Sequence, residues 1–321
     1  MSQVQASPGS PVAGGRAVGG AGDRWFRRIT AGFALAVLLL IVGIFAQMVV
    51  SSWPALQRFG IGFLFSREWD PVNGEFGALP FIWGTLISTL LALLIAVPVS
   101  LGAAIFVTEL APPRLRGPVS FLIELLAAVP SVVYGLWGIL VMVPWLRDHV
   151  ERPLGDRLGD FPLFSGVPYG VGMLAAGVIL AIMVLPIITA VTRDVLRAVP
   201  QTQRGASLVL GANFWETIWQ VVLPYGRSGI AGAIVLGMGR ALGETMAVTM
   251  VIGNRADISV SLFNPAYTLA SVLANEFTEA TGRLQIAVLI EIALVLFVLT
   301  VIVNALARWL VWSLGRRSAR G

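Results

Sequence analysis

The stretch Arg193–Gly229 reads "RDVLRAVPQTQRGASLVLGANFWETIWQVVLPYGRSG" and lies between two apolar runs. Pro200 signals a turn, a helical stretch follows, Gly211 interrupts it, and a second amphipathic stretch ends at Leu223-Pro224. Helix, glycine, helix predicts an elbow that protrudes from whatever holds the flanking runs. A surface helix resting on a membrane is the plainer reading of the same pattern.

The rest of the chain decides what the elbow protrudes from. Of 321 residues 57% are hydrophobic and 12% charged, with a mean hydropathy of +0.84. That charged fraction is about half of what a soluble domain carries, so the chain reads as an all-α integral membrane protein. Six apolar runs are long enough to span as helices: about Ile29–Val50, Phe81–Val107, Pro118–Val143, Tyr169–Thr192, Gly229–Gly253 and Leu284–Trp312. Pro98, Pro130 and Pro186 interrupt three of them, which neighbouring helices tolerate by satisfying the freed carbonyls. Residues 1–22, rich in Gly, Ala, Ser and Pro, read as a disordered tail. Residues 23–321 form the transmembrane domain, with the elbow at about 196–226.

All 22 basic residues are arginine. One set of connections holds Arg16, Arg24, Arg27, Arg28, Arg114, Arg116, Arg193, Arg197, Arg204, Arg227, Arg308, Arg316, Arg317 and Arg320, which makes 14 arginines against four acids. The other connections (51–80, 144–168 and 254–283) hold seven arginines against ten acids. The arginine excess places the elbow and both termini in the cytoplasm. Trp53, Trp69, Trp83 and Trp145 then fall at or near the outer boundary, as an aromatic belt does. Short apolar pieces of the outer loops, such as "IGFLF" at 61–65, read as interfacial segments.

Composition also excludes chemistry. Without lysine there is no phosphate-cradling nucleotide loop and no Schiff base. Without cysteine there is no thiol catalysis or cysteine metal site. His149 is the only histidine, reads as a solvated loop residue, and cannot build a histidine metal site. No constellation of a phosphatase or protease is present.

Charges inside the apolar runs are the candidate functional residues. The segment "GMGRALGETMAV", 237–248, carries Arg240 and Glu244 four residues apart, which places them on one face of a helix. An arginine at the bilayer centre costs about 2.5–3.5 kcal/mol on insertion scales, so it must face protein or water and needs a partner. A structural ion pair is one reading. An anion site or gate is the other, because a guanidinium offers a planar fork matching two oxyanion oxygens. Glu124 and Glu291 are the remaining acids within runs, each either pairing with Arg240, lining the path, or making a structural hydrogen bond. Gly232, Gly237, Gly239 and Gly243 permit close helix approach.

The elbow resembles the cytoplasmic coupling loop of bacterial ABC-importer permeases. Their pattern is Glu-Ala-Ala, three residues, Gly, nine residues, a branched apolar residue, any residue, Leu-Pro. Ala206, Gly211, Val221, Leu223 and Pro224 match it, while Gly205 stands for the glutamate and Ser207 for the second alanine. "FGALPFIWGTLISTLLALLIAVPVSLGAAIFVTELAP" (76–112), "IELLAAVPSVVYGLWG" (123–138), "VVLPYGRSGIAGAIVLGMGRALGETMAVTMVIGN" (221–254) and "LANEFTEA" (273–280) are similar to the phosphate-type permeases of that family. The resemblance implies a type I ABC importer fold in a bacterial inner membrane. It implies a second related permease, two ATPase subunits that hold ATP and magnesium, an extracytoplasmic phosphate-binding protein, surrounding lipid, and neither nucleic acid nor a cofactor bound by this chain. Sulfate or molybdate permeases are the neighbouring alternative. A self-contained secondary transporter fits less well, since six helices show no internal repeat.

Overall fold

A computed structural model describes residues 21–318 of the chain. The helices are α1 (Ala21–Phe59), α2 (Leu79–Ile105), α3 (Pro113–Ala128), α4 (Ser131–Leu158), α5 (Met173–Arg197), α6 (Gln201–Val209), α7 (Phe214–Leu242), α8 (Met246–Val251), α9 (Leu269–Glu276) and α10 (Arg283–Ser318). Most of the expected tail lies outside the described residues, but Ala21 and Gly22 already belong to α1. Contacts divide the chain into residues 1–47 and 48–321. Within the first unit α1 is a single apolar helix, and all packing below concerns the second.

Among the described residues five helices are long and apolar enough to cross a membrane. The third expected run corrects the sequence reading. Rather than a kinked span, it is two helices, α3 and α4, meeting at 91° across Val129-Pro130. Both residues take extended backbone, as proline imposes on its predecessor. The bend frees carbonyls, and the Tyr134 hydroxyl donates to one of them, the Leu126 oxygen, at 2.8 Å. Counted as one bent span, this pair brings the total to six.

Proline has a second effect at four positions, though not at Pro54, Pro98 or Pro186 inside their helices. Among the described residues four π-helical turns occur, at Phe106–Leu110, Gly138–Met142, Arg147–Glu151 and Ile218–Val222. Each is followed by one residue and then a proline: Ala111-Pro112, Val143-Pro144, Arg152-Pro153 and Leu223-Pro224. In each, the N–H of the residue before proline bonds five residues back. Proline has no N–H, and its ring crowds the carbonyl four back. Widening the preceding turn relieves that crowding; the helix goes on through Val143, Arg152 and Leu223 and ends at Ala111, which is extended. Hence the second half of the elbow does not end at Leu223-Pro224 as expected. It runs on as α7, which begins at Phe214.

The bundle is built on α2, α5 and α7. Small residues bring them close: Ala92 and Ala96 of α2, Ala176 and Ala181 of α5, Ala233 and Ala241 of α7, with Leu180, Val184 and Ile188 filling between. Gly177 of α5 sits where any Cβ would run into the Leu91 side chain of α2.

One end of this bundle carries a packed cap. Gly60–Leu64 forms a 3-10 turn, and Trp69–Asp70 pairs antiparallel with Glu75–Phe76, which we label β1 and β2. The Asp70 carboxylate accepts the N–H groups of Val72 and Asn73 at 2.9 and 3.1 Å, closing the hairpin turn. Of the expected interfacial piece, Ile61 and Phe65 are exposed but Phe63 is buried against Phe76 and Phe81. The 61–65 segment is therefore part of a folded cap. Rings continue from Trp69 to Phe81 (4.8 Å between centroids) and Phe81 to Tyr267 (5.4 Å). Thr268 and Ser271 cap the start of α9 reciprocally. Burial pushes the Tyr267 phenol up to about 12.

Candidate functional site

Arg240 lies in the last turn of α7, where its side chain stays 40% exposed. The shared helix face expected for Arg240 and Glu244 is not found. The helix ends at Leu242, Gly243 follows as its cap, and Glu244 sits in the break before α8. Glycine is the poorest helix former after proline, so the interruption falls there. Arg240 Nη2 and Glu244 Oε2 remain 4.0 Å apart, an ion pair too long for a hydrogen bond. Glu244 is mostly buried, and its Oε1 accepts weakly from the Ala247 N–H at 3.4 Å. The result is a buried carboxylate beside a partly open guanidinium. Tyr134 of α4 lies within electrostatic reach of Arg240.

Close packing places this corner. Gly135 of α4 approaches α8 so nearly that a Cβ would meet Met250 Sδ at 2.6 Å and Ala247 Cα at 3.0 Å. Gly237 faces Ile188 of α5, where a Cβ would lie 2.7 Å from the side chain. Of the four glycines expected at helix contacts, Gly237 is the tight one. Gly232 has open space, Gly239 only approaches Asn304 of α10, and Gly243 ends the helix.

Neither remaining acid pairs with Arg240. Glu124 of α3 accepts from Arg193 Nη1 at 3.0 Å. By charge count Arg193 belongs to a connection between spans. It is instead buried in the last turns of α5, where its Nε also donates to Asp194 at 3.0 Å. Glu291 of α10 is buried, and its Oε2 has no hydrogen-bond partner among the described residues. Since Gly239 meets α10 at Asn304, thirteen residues beyond Glu291, the rise per residue puts Glu291 about 20 Å along the helix from the Arg240 level.

The elbow follows the expected helix, glycine, helix order. α6 carries Gly205, Ala206 and Ser207; Gly211 takes φ +91°, a conformation glycine reaches without steric cost. Asn213 and Glu216 then form a capping box that starts α7. Ser207 Oγ lies 3.2 Å from Thr217 Oγ1, tying the two halves. Gly205 has open space around it. Its neighbour Arg204 donates Nη1 to both Glu109 oxygens at 2.8 and 2.6 Å, and Nη2 to the Leu196 carbonyl at 2.7 Å. In sequence Arg204 counts only toward the arginine excess, and no local pattern marks its pairing with Glu109, 95 residues earlier.

The profile described as "Binding-protein-dependent transport system inner membrane component" matches residues 96–315. The phosphate transport system permease protein PstC of Pasteurella multocida is 47% identical over 299 residues, covering 92% of this chain and 93% of that protein. Its counterpart in Haemophilus influenzae is 48% identical over 290 residues, covering 89% and 92%. PstC 1 of Mycobacterium tuberculosis is 40% identical over 326 residues, covering 93% and 95%. Among solved structures, the inward-facing MetNI methionine ABC transporter aligns with a TM-score of 0.53 at 18% identity, covering 74% of this chain and 94% of that one. A bacterial alginate ABC transporter bound to its periplasmic protein aligns with a TM-score of 0.55 at 14% identity, covering 92% and 98%. At those identities the structures establish the fold, that of an ABC importer permease. With the profile spanning more than half its length and these relatives nearly all of it, the chain belongs to the inner-membrane components of binding-protein-dependent transport systems, and within them to the PstC-type phosphate transport permeases.

Proposed function

We propose that this chain forms one half of the translocation pathway of an ATP-driven importer of inorganic phosphate. The observation that carries the substrate is the 47% identity over 92% of the chain to a phosphate permease. A second, related permease supplies the other half. Two ATPase subunits bind ATP and magnesium and dock on the elbow, and an extracytoplasmic binding protein delivers phosphate to the capped end. The chain itself holds no cofactor, contacts lipid around the bundle, and has no nucleic-acid partner. The arginine asymmetry supports an orientation with the elbow and both termini in the cytoplasm.

Arg240 contacts the anion or controls its passage. What supports this is a guanidinium in the last turn of α7, 40% exposed and only loosely held by Glu244 at 4.0 Å. Its fork matches two phosphate oxygens. One guanidinium leaves a phosphate dianion incompletely neutralised, so the second permease contributes further donors. Glu244 holds Arg240 between cycles.

The test is co-purification with native partners and ATP-dependent uptake of labelled phosphate, with sulfate, molybdate and arsenate as competitors. Stronger competition by sulfate or molybdate than by unlabelled phosphate reassigns the substrate to that oxyanion. Arg240→Gln abolishes uptake with assembly intact, and Arg240→Lys transports poorly for want of the fork. A normally transporting Arg240→Gln/Glu244→Gln double variant reduces the pair to a structural one. Because the chain has no cysteine, Asp156→Cys and Gly211→Cys report orientation: an impermeant external thiol reagent labels the first and spares the second. Gly211→Trp inserts but loses ATP-coupled uptake and ATPase binding. Wild-type uptake in that variant removes the elbow as docking site.

A further inference from the structure

None of the side chains of α6 is buried. An element without a buried face is not held by packing. Whatever displaces it acts on the bundle through its chain ends and its polar contacts. Ser207–Thr217 lies within the elbow; Arg204 is the residue of α6 that reaches out of it. Its guanidinium joins three elements: α6 itself, the π turn Phe106–Leu110 that ends α2 through Glu109, and the last turn of α5 through the Leu196 carbonyl. The pair is shielded, with side-chain exposures of 15% for Arg204 and 7% for Glu109, so solvent screens it far less than a surface pair. Beneath it Ala104, Ile105, Leu196, Val199, Ile218 and Val222 pack the same ends together.

Resting on the reading of this chain as an ATP-driven importer, we propose that the Arg204–Glu109 pair is the strut that converts displacement of the elbow into displacement of α2. The two are positioning residues and touch no substrate. α2 is suited to receive such a load. Over 27 residues it spans about 40 Å, packs along α5, and bonds it through Ser100 Oγ to the Leu185 carbonyl at 3.1 Å. Its far end carries Phe81 and Thr85 into the cap, where Thr85 Oγ1 accepts the Leu269 N–H at 2.9 Å. One helix thus connects the strut to the opposite end of the bundle. The guanidinium is fixed at two nitrogens, Nη1 on both Glu109 oxygens and Nη2 on the Leu196 carbonyl, so it links the ends of α2 and α5 rather than pivoting on one contact.

The experiment uses the assembled transporter in proteoliposomes and reads phosphate accumulated per ATP hydrolysed. Glu109→Gln is expected to keep assembly and ATP hydrolysis within about twofold of wild type while the ratio falls about tenfold. The exchanged pair Arg204→Glu/Glu109→Arg should recover most of the ratio. Cysteines at both positions, joined by a short bis-maleimide, should restore coupling on bridging and show the loss without it. This second variant decides the matter if the exchanged pair does not assemble. A wild-type ratio in assembled Glu109→Gln overturns the strut alone, as does a bridged pair no better coupled than the unbridged one. A wild-type transporter that hydrolyses ATP without accumulating phosphate overturns the importer reading and the strut with it.

Discussion

At the capped end of the bundle, Phe59, Phe63, Trp69, Phe76, Phe81 and Tyr267 meet ring to ring and enclose the start of α2. At the elbow end, α6 and its capping residue leave Leu208, Val209 and Leu210 exposed, and α6 is held by one guanidinium and a hydroxyl pair. Apolar packing is short-ranged and tolerates little change in spacing. A charge-assisted contact keeps much of its attraction through small shifts of the groups it joins, because the Coulomb term falls off slowly with distance. The cap is thus built to keep its shape and the elbow to be moved as a piece.

Substitutions at matched positions can break that contrast. The largest effect is expected at Gly84 of α2, where a Cβ would overlap the Tyr267 carbonyl. Gly84→Val should yield no monodisperse protein by size-exclusion in detergent, whereas Gly205→Val, with open space around it, should yield as wild type. Equal yields would mean that the cap rearranges as readily as the elbow.

Phe63→Ala comes next. Emptying that buried ring site should cost about 3–5 kcal/mol and lower the thermal midpoint by several degrees, while Leu210→Ala, 88% exposed, should leave it unchanged. Matching shifts would remove the distinction in packing. At Gly211 a side chain must adopt φ +91°, a strain of about 1–2 kcal/mol. Gly211→Ala should speed hydrogen exchange of the Gln201–Val209 amides by about tenfold and leave cap amides alone. Exchange that also rises in the cap would show that the elbow does not open by itself.

The smallest effect is electrostatic. Burial holds the Glu276 carboxyl above its ordinary value of 4.5, against the pull of the Trp69 indole N–H. The unfolded chain therefore gives up this proton first, and the cap loses stability as pH rises from the ordinary value through the raised one. Glu276→Gln should gain thermal midpoint relative to wild type between pH 4 and pH 8, by a few degrees at most. A difference independent of pH would mean that the carboxyl is not held high.

What the sequence made legible is local. Apolar length marks the spans, and the helix–glycine–helix order marks the elbow, because each is decided within a turn or two of chain. Arg240 and Glu244 stand out because charge in an apolar run needs no partner to be noticed. The break between them was not legible, since Gly243 reads equally as a packing glycine. Nor was the 91° bend, since Pro130 alone does not say whether a helix kinks or ends. Arg204–Glu109 and Arg193–Glu124 join residues 95 and 69 apart, and nothing local fixes such distances. The π turns are the instructive intermediate case: each sits directly before an X-Pro step, a signal in plain view that the expected helix boundaries passed over.

The order of residues in those two ion pairs bears on how the protein is made. In both the acid emerges from the ribosome first and the arginine later: Glu124 waits 69 residues for Arg193, and Glu109 waits 95 for Arg204. At synthesis rates of about 5–20 residues per second, Glu124 spends about 3–14 s in or beside the bilayer before its counterion exists. During that interval α3 lacks its ion pair to α5, and the end of α2 lacks the guanidinium that later grips it. The nascent chain can complete its cap-side contacts around α2 only after that, when α9 and α10 arrive. The elbow end is therefore closed by arginine before the cap end is closed by aromatic rings, and a ribosome stalled between residues 124 and 193 leaves an unpaired carboxylate for the insertion machinery to shelter.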